Sequence, residues 1–364
     1  MTRVSACLRR APAGVTLPEA LVAIVLLVVL ASAVAGVIVI QAKSAHAQPD
    51  AVDVQQRARF AIDTIAAALR AAGAGPEYGP APGPLRLYLP PVMPRRIGAT
   101  GADAFSMARG DAISIISVPT TSVQSALRDP VTSAADGVAP VIAPTCTPGD
   151  PACGIRPGMA LLLFDRRARF DLMTVASVAV DRASIRLWQS NPAFDYPAGA
   201  ALARADVALY YFDPAARQIR SSDGDGADAP LVDHVAGLSF EYFGDPESPA
   251  SPRPPAGIAN CLYDELGVRR PTVSLAPGGR ALIPLPLGMF ADGPWCGAGD
   301  LQFDADLLRI RSVRVTVRVQ TAGVMRRGRG GDYASPGQGR DALALVPDLS
   351  MTIDVAPRNM QGGR

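Results

Sequence analysis

The feature that most constrains this chain is an uncharged, strongly apolar run from Ala20 to Ile40, close to the N-terminus. As a helix that rises about 1.5 Å per residue, the run is roughly 32 Å long, which matches the hydrocarbon core of a bilayer. No second run of this kind follows it in the sequence. The sequence therefore predicts a single membrane-spanning helix, with the large remainder of the chain in water.

A short basic leader precedes the run. Residues 1–14 contain three arginines and no acidic residue. The apolar run that follows is longer than the core of an ordinary secretory signal. Because basic residues beside a span stay in the cytoplasm, we expect a cytoplasmic leader and a C-terminal bulk on the other side of the membrane.

The overall composition narrows the possible functions. Lys+Arg is 35 and Asp+Glu is 33, a net charge of +2, which excludes a strongly basic nucleic-acid binder and an acidic disordered chain. Hydrophobic residues make up 49% of the chain, which is enough for a core. The only histidines are His46 and His234, and there is no GxSxG, HExxH or phosphate-loop motif. The sequence therefore predicts no catalytic residues and no enzyme.

One acidic residue, Glu19, lies at the very start of the membrane run. At mid-bilayer a carboxylate costs on the order of 2–3 kcal/mol, and less near the interface. Glu19 can simply cap the start of the helix, where negative charge is favourable. It can also have a function inside the membrane, and its position alone leaves both interpretations open.

The neighbours of Glu19 add a resemblance. The segment Gly14–Ile24, with Gly14, Thr16, Leu17 and Glu19 in register, resembles the class III signal of type IV pilins and pseudopilins. In that family a basic leader ends in Gly, the fifth mature residue is Glu, and an uninterrupted apolar helix follows. In this chain Val15 stands where the family usually has Phe or Met, and Pro18 stands where it usually has an aliphatic residue.

The resemblance implies a processing site and a role for the acid. A prepilin peptidase would cleave between Gly14 and Val15 and methylate the new amino group of Val15. That amine would meet Glu19 of a neighbouring subunit, because both charges are costly in an apolar environment unless they are paired. The pair would set the axial register between subunits.

A second helical segment is predicted beyond the span, after an interruption at Pro49 with Asp50 as the cap. Apolar residues then recur every three or four positions up to Ala72, and Gly73 ends the segment. This part of the chain resembles the post-membrane helix of PilW-like minor pilins and of the J-type minor pseudopilin. The predicted domains are a leader (1–14), a membrane helix (15–40), an amphipathic helix (41–73) and a head (74–364).

The head has the pattern of short strands separated by loops rich in Pro and Gly. The predicted strands are Leu85–Leu89, Ala112–Val118, Met159–Phe164, Met173–Val180, Ile185–Trp188, Val207–Phe212, Leu238–Phe243, Leu308–Val319 and Met351–Val355. The fold class is therefore α+β, with one long helix on an antiparallel sheet and long insertions at 75–97, 244–256 and 326–340. Residues 205–245 and 305–360 resemble the late strands of PilW-like proteins, which implies a pilin-like fold.

Four cysteines follow the leader, which itself contains Cys7. We favour the pairings Cys146–Cys153 and Cys261–Cys296 as disulfides in an oxidising compartment, each contributing about 2–4 kcal/mol. The alternative is a zinc site, although no CxxC motif is present.

Three weaker candidates remain. Asp223, Asp225 and Asp228 begin like a calcium loop, but the position of the distal ligand is taken by His234, so a solvated turn is the alternative. His234 follows Asp233 and is expected in a loop before the next strand. Four arginines of a Gly-rich loop, a possible anion or DNA contact, are better explained as a solvated loop: Arg326, Arg327, Arg329 and Arg340.

The sequence thus favours a minor pilin, a component or initiator of a type IV pilus, expected at the tip. Its implied partners are the prepilin peptidase, other minor pilins, the major pilin and the inner-membrane assembly platform, with no cofactor and no nucleic acid. It would reside in the inner membrane as a single-pass protein with a periplasmic head, and then in the filament. The alternatives are a minor pseudopilin of a type II secretion system, a membrane-anchored periplasmic enzyme, and an adhesin built on residues 90–205.

Overall fold

A computed structural model describes most of the chain. The described residues are 14, 16–97, 102–119, 122, 124–134, 138–142, 154–179, 184–187, 192–223, 227–276, 278 and 281–361. They form one long N-terminal helix followed by antiparallel strands, which confirms the α+β class. They divide into two compact units, one holding the N-terminal segment up to Val52 with Ala322–Pro347, the other holding Asp53–Thr321 with the segment from Asp348 onward.

The helix α1 runs without a break from Leu17 to Ala71. The predicted interruption at Pro49 is therefore wrong. Proline has no N–H and leaves the carbonyl of Ala45, four residues earlier, without its helical donor. Both residues are exposed, so water can bond that carbonyl and the helix can continue. Beyond Ala71 the chain leaves the helix through Gly73, whose φ of 73° suits a glycine.

The two parts of α1 present different surfaces. From Leu17 to Ile40 the large apolar side chains are exposed all round the helix. Beyond Val52 one face is buried, as the spacing of apolar residues predicts. The buried positions are Val54, Ala58, Ala61, Ile62, Ile65, Ala66, Leu69 and Ala72.

Fifteen strands follow α1 among the described residues. In chain order they are β1 (Val92–Met93), β2 (Ala112–Ser117), β3 (Ser125–Leu127), β4 (Val138–Ile142), β5 (Ala160–Phe164), β6 (Phe170–Ala179), β7 (Ser184–Leu187), β8 (Ala201–Arg204), β9 (Asp206–Asp213), β10 (Gln218–Ser222), β11 (Asp228–Val232), β12 (Val235–Gly244), β13 (Ile283–Leu285), β14 (Ile310–Val319) and β15 (Leu349–Val355).

The strands form two open sheets and one barrel, where a single sheet was expected. One sheet has the order β1-β2-β9-β10-β11 and the other β13-β12-β14-β15. The barrel closes in the order β3-β4-β7-β6-β5-β8. It is inserted between β2 and β9, which pair with each other up to Ser117 and Asp206. Residues 90–205, which show no family resemblance, thus contain a separate β structure.

Side-chain alternation holds where it was clearest in the sequence. Val313, Val315, Val317 and Val319 of β14 are all fully buried. The residues between them are half-buried, as in a sheet with one packed face.

One predicted strand is wrong. Leu85–Leu89 contains a 3-10 turn over Leu85–Leu87, which begins after Pro84. The N–H of Leu85 donates to the carbonyl of Gly73 at 2.9 Å, which holds the turn against the end of α1. Leu85 and Leu89 are both fully buried, four residues apart, so the apolar spacing reflects a turn and not a pleat.

Candidate functional site

The first turn of α1 contains the residues on which the sequence interpretation depends. Gly14 is exposed and outside regular structure, Val15 lies outside the described residues, and Glu19 is in the first helical turn. The Ala20 N–H donates to the carbonyl of Thr16 at 3.1 Å, and the Thr16 hydroxyl lies 3.5 Å from a Glu19 carboxylate oxygen. Thr and Glu three residues apart at a helix start have the spacing of a capping box.

Within one chain, Glu19 therefore interacts only weakly with its own helix. The 3.5 Å contact with Thr16 is long for a hydrogen bond to a carboxylate, and the Glu19 side chain is exposed. The capping interpretation explains why a glutamate is tolerated at this position. It leaves most of the carboxylate accessible to another group.

The surface beyond Glu19 is apolar on every side. Leu21, Leu27 and Leu30 are 57%, 67% and 67% exposed, and the valines and isoleucines between them are similar. Soluble monomers rarely expose apolar patches of more than a few hundred Å². In length and apolarity this helix could cross a membrane. Such a surface is suited to contact with lipid or with other apolar helices.

A disulfide links two loops of the head. Cys261 is bonded to Cys296, with a Cα–Cα distance of 6.3 Å, which is the pairing that the sequence favours for these two residues. Leu262, Tyr263, Ala305 and Leu308 form a small buried cluster on which both cysteines and Trp295 pack. Cys146 and Cys153 lie outside the described residues.

A buried cluster of charged residues lies next to that disulfide and was not predicted from the sequence. Arg309 is fully buried and donates to the carbonyls of Pro246 at 2.6 Å and Val273 at 2.8 Å, and to the Ser248 hydroxyl at 3.1 Å. Its guanidinium lies 3.7 Å from the carboxylate of Asp304. Arg309 thereby joins three loop segments to the start of β14. Nothing in the local sequence marks it as different from the exposed arginines nearby.

Two carboxyl groups of this cluster have raised pKa values. Burial raises the pKa of Asp306 to about 8, and the neighbouring Asp304 adds to the effect. Burial also raises the pKa of Asp304 to about 6, partly offset by Arg309. Arg95, 1% exposed, donates to the carbonyls of Phe105 and Phe290 and carries the positive charge near Asp306. The cluster is enclosed and structural in character.

The calcium candidate is only partly described. Asp225 lies outside the described residues, while Asp223 is exposed just after β10. The carboxylate of Asp228 accepts hydrogen bonds from the Tyr211 hydroxyl at 2.7 Å and from Arg220 at 3.0 Å. Each carboxylate oxygen of Asp228 therefore already accepts one hydrogen bond. Across the described part of the chain, no three His, Cys, Asp or Glu side chains form a group that could hold a metal ion.

The remaining candidates fall in separate places. His234 has a φ of 53° in the turn between β11 and β12, the loop position expected, with Nε2 3.9 Å from Asp233. The side chain of His46 lies outside the described residues. Of the four loop arginines, Arg326 forms an ion pair with Asp50 at 3.0 Å and Arg327 is buried, so only Arg329 and Arg340 are exposed.

Comparisons with protein-family models, with curated proteins and with solved structures gave no match.

Proposed function

We propose that this chain is a minor pilin that enters or initiates a type IV pilus. The observation that carries the proposal is the combination of Gly14, Thr16, Leu17 and Glu19 in one register with a long apolar helix. The apolar surface from Leu21 to Ile40 is suited to two environments in turn. It would lie in the membrane before assembly and among the helices of other subunits in the filament.

The geometry of α1 supports this use. Its apolar part, which would lie in the filament core, continues without a break into its amphipathic part. Gly14 is exposed and precedes the helix, as the residue before a cleavage site would. The partners would be the prepilin peptidase, the other pilins and the assembly platform of the inner membrane.

Glu19 has a specific role in this proposal. Cleavage after Gly14 would place a free amine on Val15, four residues before the carboxylate. In an apolar filament core each of these charges needs an oppositely charged partner. The Val15 amine of one subunit can therefore pair with the Glu19 carboxylate of the next. The weak contact with Thr16 leaves Glu19 available for that amine.

A minor pseudopilin of a type II secretion system is the alternative within the same class. It would use the same signal, helix and acid, and would differ in the filament that it joins. The genes beside this one would distinguish the two, because pilus and secretion genes are different sets.

Two substitutions separate the register role of Glu19 from helix capping. Glu19→Ala removes the carboxylate, and Thr16→Val removes only the hydroxyl that contacts it. We expect both variants to be cleaved, Glu19→Ala to be lost from sheared filaments, and Thr16→Val to be incorporated normally. Equal incorporation of Glu19→Ala and the wild type, measured by immunoblot of the filament fraction, would contradict the proposal. Equal loss of both variants would mean that Glu19 is only a cap.

A further inference from the structure

The loop between β14 and β15 belongs to the same compact unit as the N-terminal part of α1. Arg326 of the loop forms an ion pair with Asp50 of the helix, with 3.0 Å between Nε and Oδ2. The Val346 N–H donates to the carbonyl of Arg326 at 2.8 Å, and the Gln338 N–H donates to that of Val324 at 2.8 Å. These bonds connect the C-terminal half of the loop to its N-terminal half, which is held beside Asp50 by Arg326. The level of Asp50 along the helix therefore gives the level of the loop.

That level lies close to the end of the membrane-spanning run. Lys43 is the first charged residue after Glu19, and Asp50 follows seven positions later, about 10 Å along a helix. The headgroup layer on each side of a bilayer is about 5–7 Å thick. The field of an anionic surface extends about 10 Å further at physiological salt. With the span in a bilayer, the loop would therefore lie against the headgroups or within their field.

The loop exposes the side chains that a headgroup layer attracts. Its large exposed apolar residues are Val324, Met325 and Leu343, at 46%, 62% and 50% exposure. Arg329 and Arg340 are exposed between them. Residues 322–347 hold four arginines against Asp332 and Asp341. Asp50 pairs with Arg326, so the loop together with Asp50 has a net charge of 4 − 3 = +1. Exposed apolar side chains among arginines are typical of segments that enter the interface of anionic membranes.

We propose that residues 322–347 form a membrane-contact loop that binds the anionic phospholipid headgroups around the protein's own span. Val324, Met325 and Leu343 enter the interface, and Arg329 and Arg340 contact phosphate groups. The membrane is the occupant because α1 passes through it within a few turns of the loop, which keeps the effective lipid concentration high at all times. The inference rests on the span alone, so it holds or fails independently of filament assembly.

The test uses the full-length protein in nanodiscs made with brominated lipids, which quench nearby tryptophan. Met325→Trp places the reporter in the loop, and Leu266→Trp places it at an exposed site outside the loop. Both variants keep the native Trp188 and Trp295, so their difference isolates the added indole. We expect the loop reporter to be quenched in discs that contain phosphatidylglycerol, and the Leu266 reporter to stay bright.

The charge requirement is tested in the Met325→Trp background. Arg329→Gln with Arg340→Gln removes two charges, each worth a factor of about five in membrane binding. The ratio of bound to unbound loop therefore falls about 25-fold, and fluorescence recovers. Arg128→Gln with Arg204→Gln removes the same charge from the barrel and leaves the quenching intact. Discs of phosphatidylcholine alone, or 0.5 M salt, also restore the fluorescence.

Two results would overturn the proposal. One is a loop reporter that stays unquenched in phosphatidylglycerol discs. The other is quenching that survives both the loss of the two arginines and high salt. The salt and lipid arms need no arginine variant, so they decide the question even if a variant folds poorly.

Discussion

At the scale of single residues, the fold depends on charges that are hidden from solvent. Arg309 satisfies the carbonyls of Pro246 and Val273 with one side chain, and it lies beside Asp304. Removing one partner of such a cluster leaves the others buried and unpaired, at a cost of about 3–5 kcal/mol. Arg309 therefore helps to hold the loop between β12 and β13 in place.

Asp306 gives this cluster a pH dependence. Its pKa is raised to about 8 in the folded protein, against an ordinary value near 3.8 in the unfolded chain. Between these values the folded state holds a proton that the unfolded state has released, so stability falls as pH rises from about 4 to about 8. Above pH 8 both states are ionised and the loss is complete.

Asp306→Asn should remove most of this loss. The amide oxygen can still accept the bond that Leu307 N–H donates to Asp306 at 2.7 Å. We expect the variant to be more stable than the wild type by several kcal/mol, on the order of 5, at pH 8 and by little at pH 4. Thermal unfolding in detergent across this pH range measures the difference, with exposed Asp300→Asn as the matched control. Parallel pH curves for Asp306→Asn and the wild type would show that the carboxyl is ionised in the fold.

At the scale of elements, regular alternation is what the sequence predicted best. The valines of β14 alternate with polar residues along the whole strand, and they are buried as expected. β10 was missed because it is largely polar and only Ile219 is buried. β11 was missed because it is short, contains Pro230 and buries only Val232. Pro49 was predicted to interrupt the helix because a proline usually breaks a helical hydrogen bond. The sequence does not show that Pro49 is exposed, so that water can bond the free carbonyl.

The Cys261–Cys296 disulfide connects two loops, and its contribution to the free energy of unfolding can be measured directly. Closing the 35-residue span between Cys261 and Cys296 restricts the unfolded chain, at about 3–4 kcal/mol in the chain-entropy treatment. We expect Cys261→Ser with Cys296→Ser to lower the free energy of unfolding by about this amount. Urea unfolding of oxidised protein measures it, and added reductant should lower the stability of the wild type at least to that of the variant. A wild type that is indifferent to reductant would show that the bond does not form.

At the scale of the whole molecule, three strands of the barrel, β5, β6 and β7, were predicted, but its closure was not. The closure of the barrel depends on pairing β3 with β8, which are far apart in the chain. Its core has its own buried residues, including Leu161, Leu202 and Tyr196, whose hydroxyl donates to Asp171 at 2.8 Å. A long insertion of this kind can fold around its own core.

The barrel should therefore be removable. Replacing residues 119–204 with Asn-Gly leaves Val118 and Ala205 as the ends of a four-residue hairpin loop between β2 and β9. We expect the shortened chain to keep the Cys261–Cys296 bond and to melt cooperatively, with a small loss from the Gln124 bonds to Ala81. Gln124→Ala in the full chain measures that loss separately. A shortened chain that lacks the bond and aggregates would make the barrel integral to the fold.

The residues at the start of α1 could be recognised in the sequence, but the way Glu19 would act could not be read from them. The residues from Gly14 to Glu19 and the apolar run are evident in the sequence, and the structure adds one continuous helix and an accessible carboxylate. The proposed pairing with a second subunit would involve an amine that one chain does not contain before cleavage. The proposed role of Glu19 therefore depends on whether the leader is removed.

The most direct measurement is the mass of the N-terminal peptide of the native protein, purified from membranes. The account predicts a chain that begins at Val15 and carries one methyl group on its amine, and an intact leader when Gly14 is replaced by valine. A native protein that still begins with residues 1–14, or that begins beyond Ile40, would contradict it.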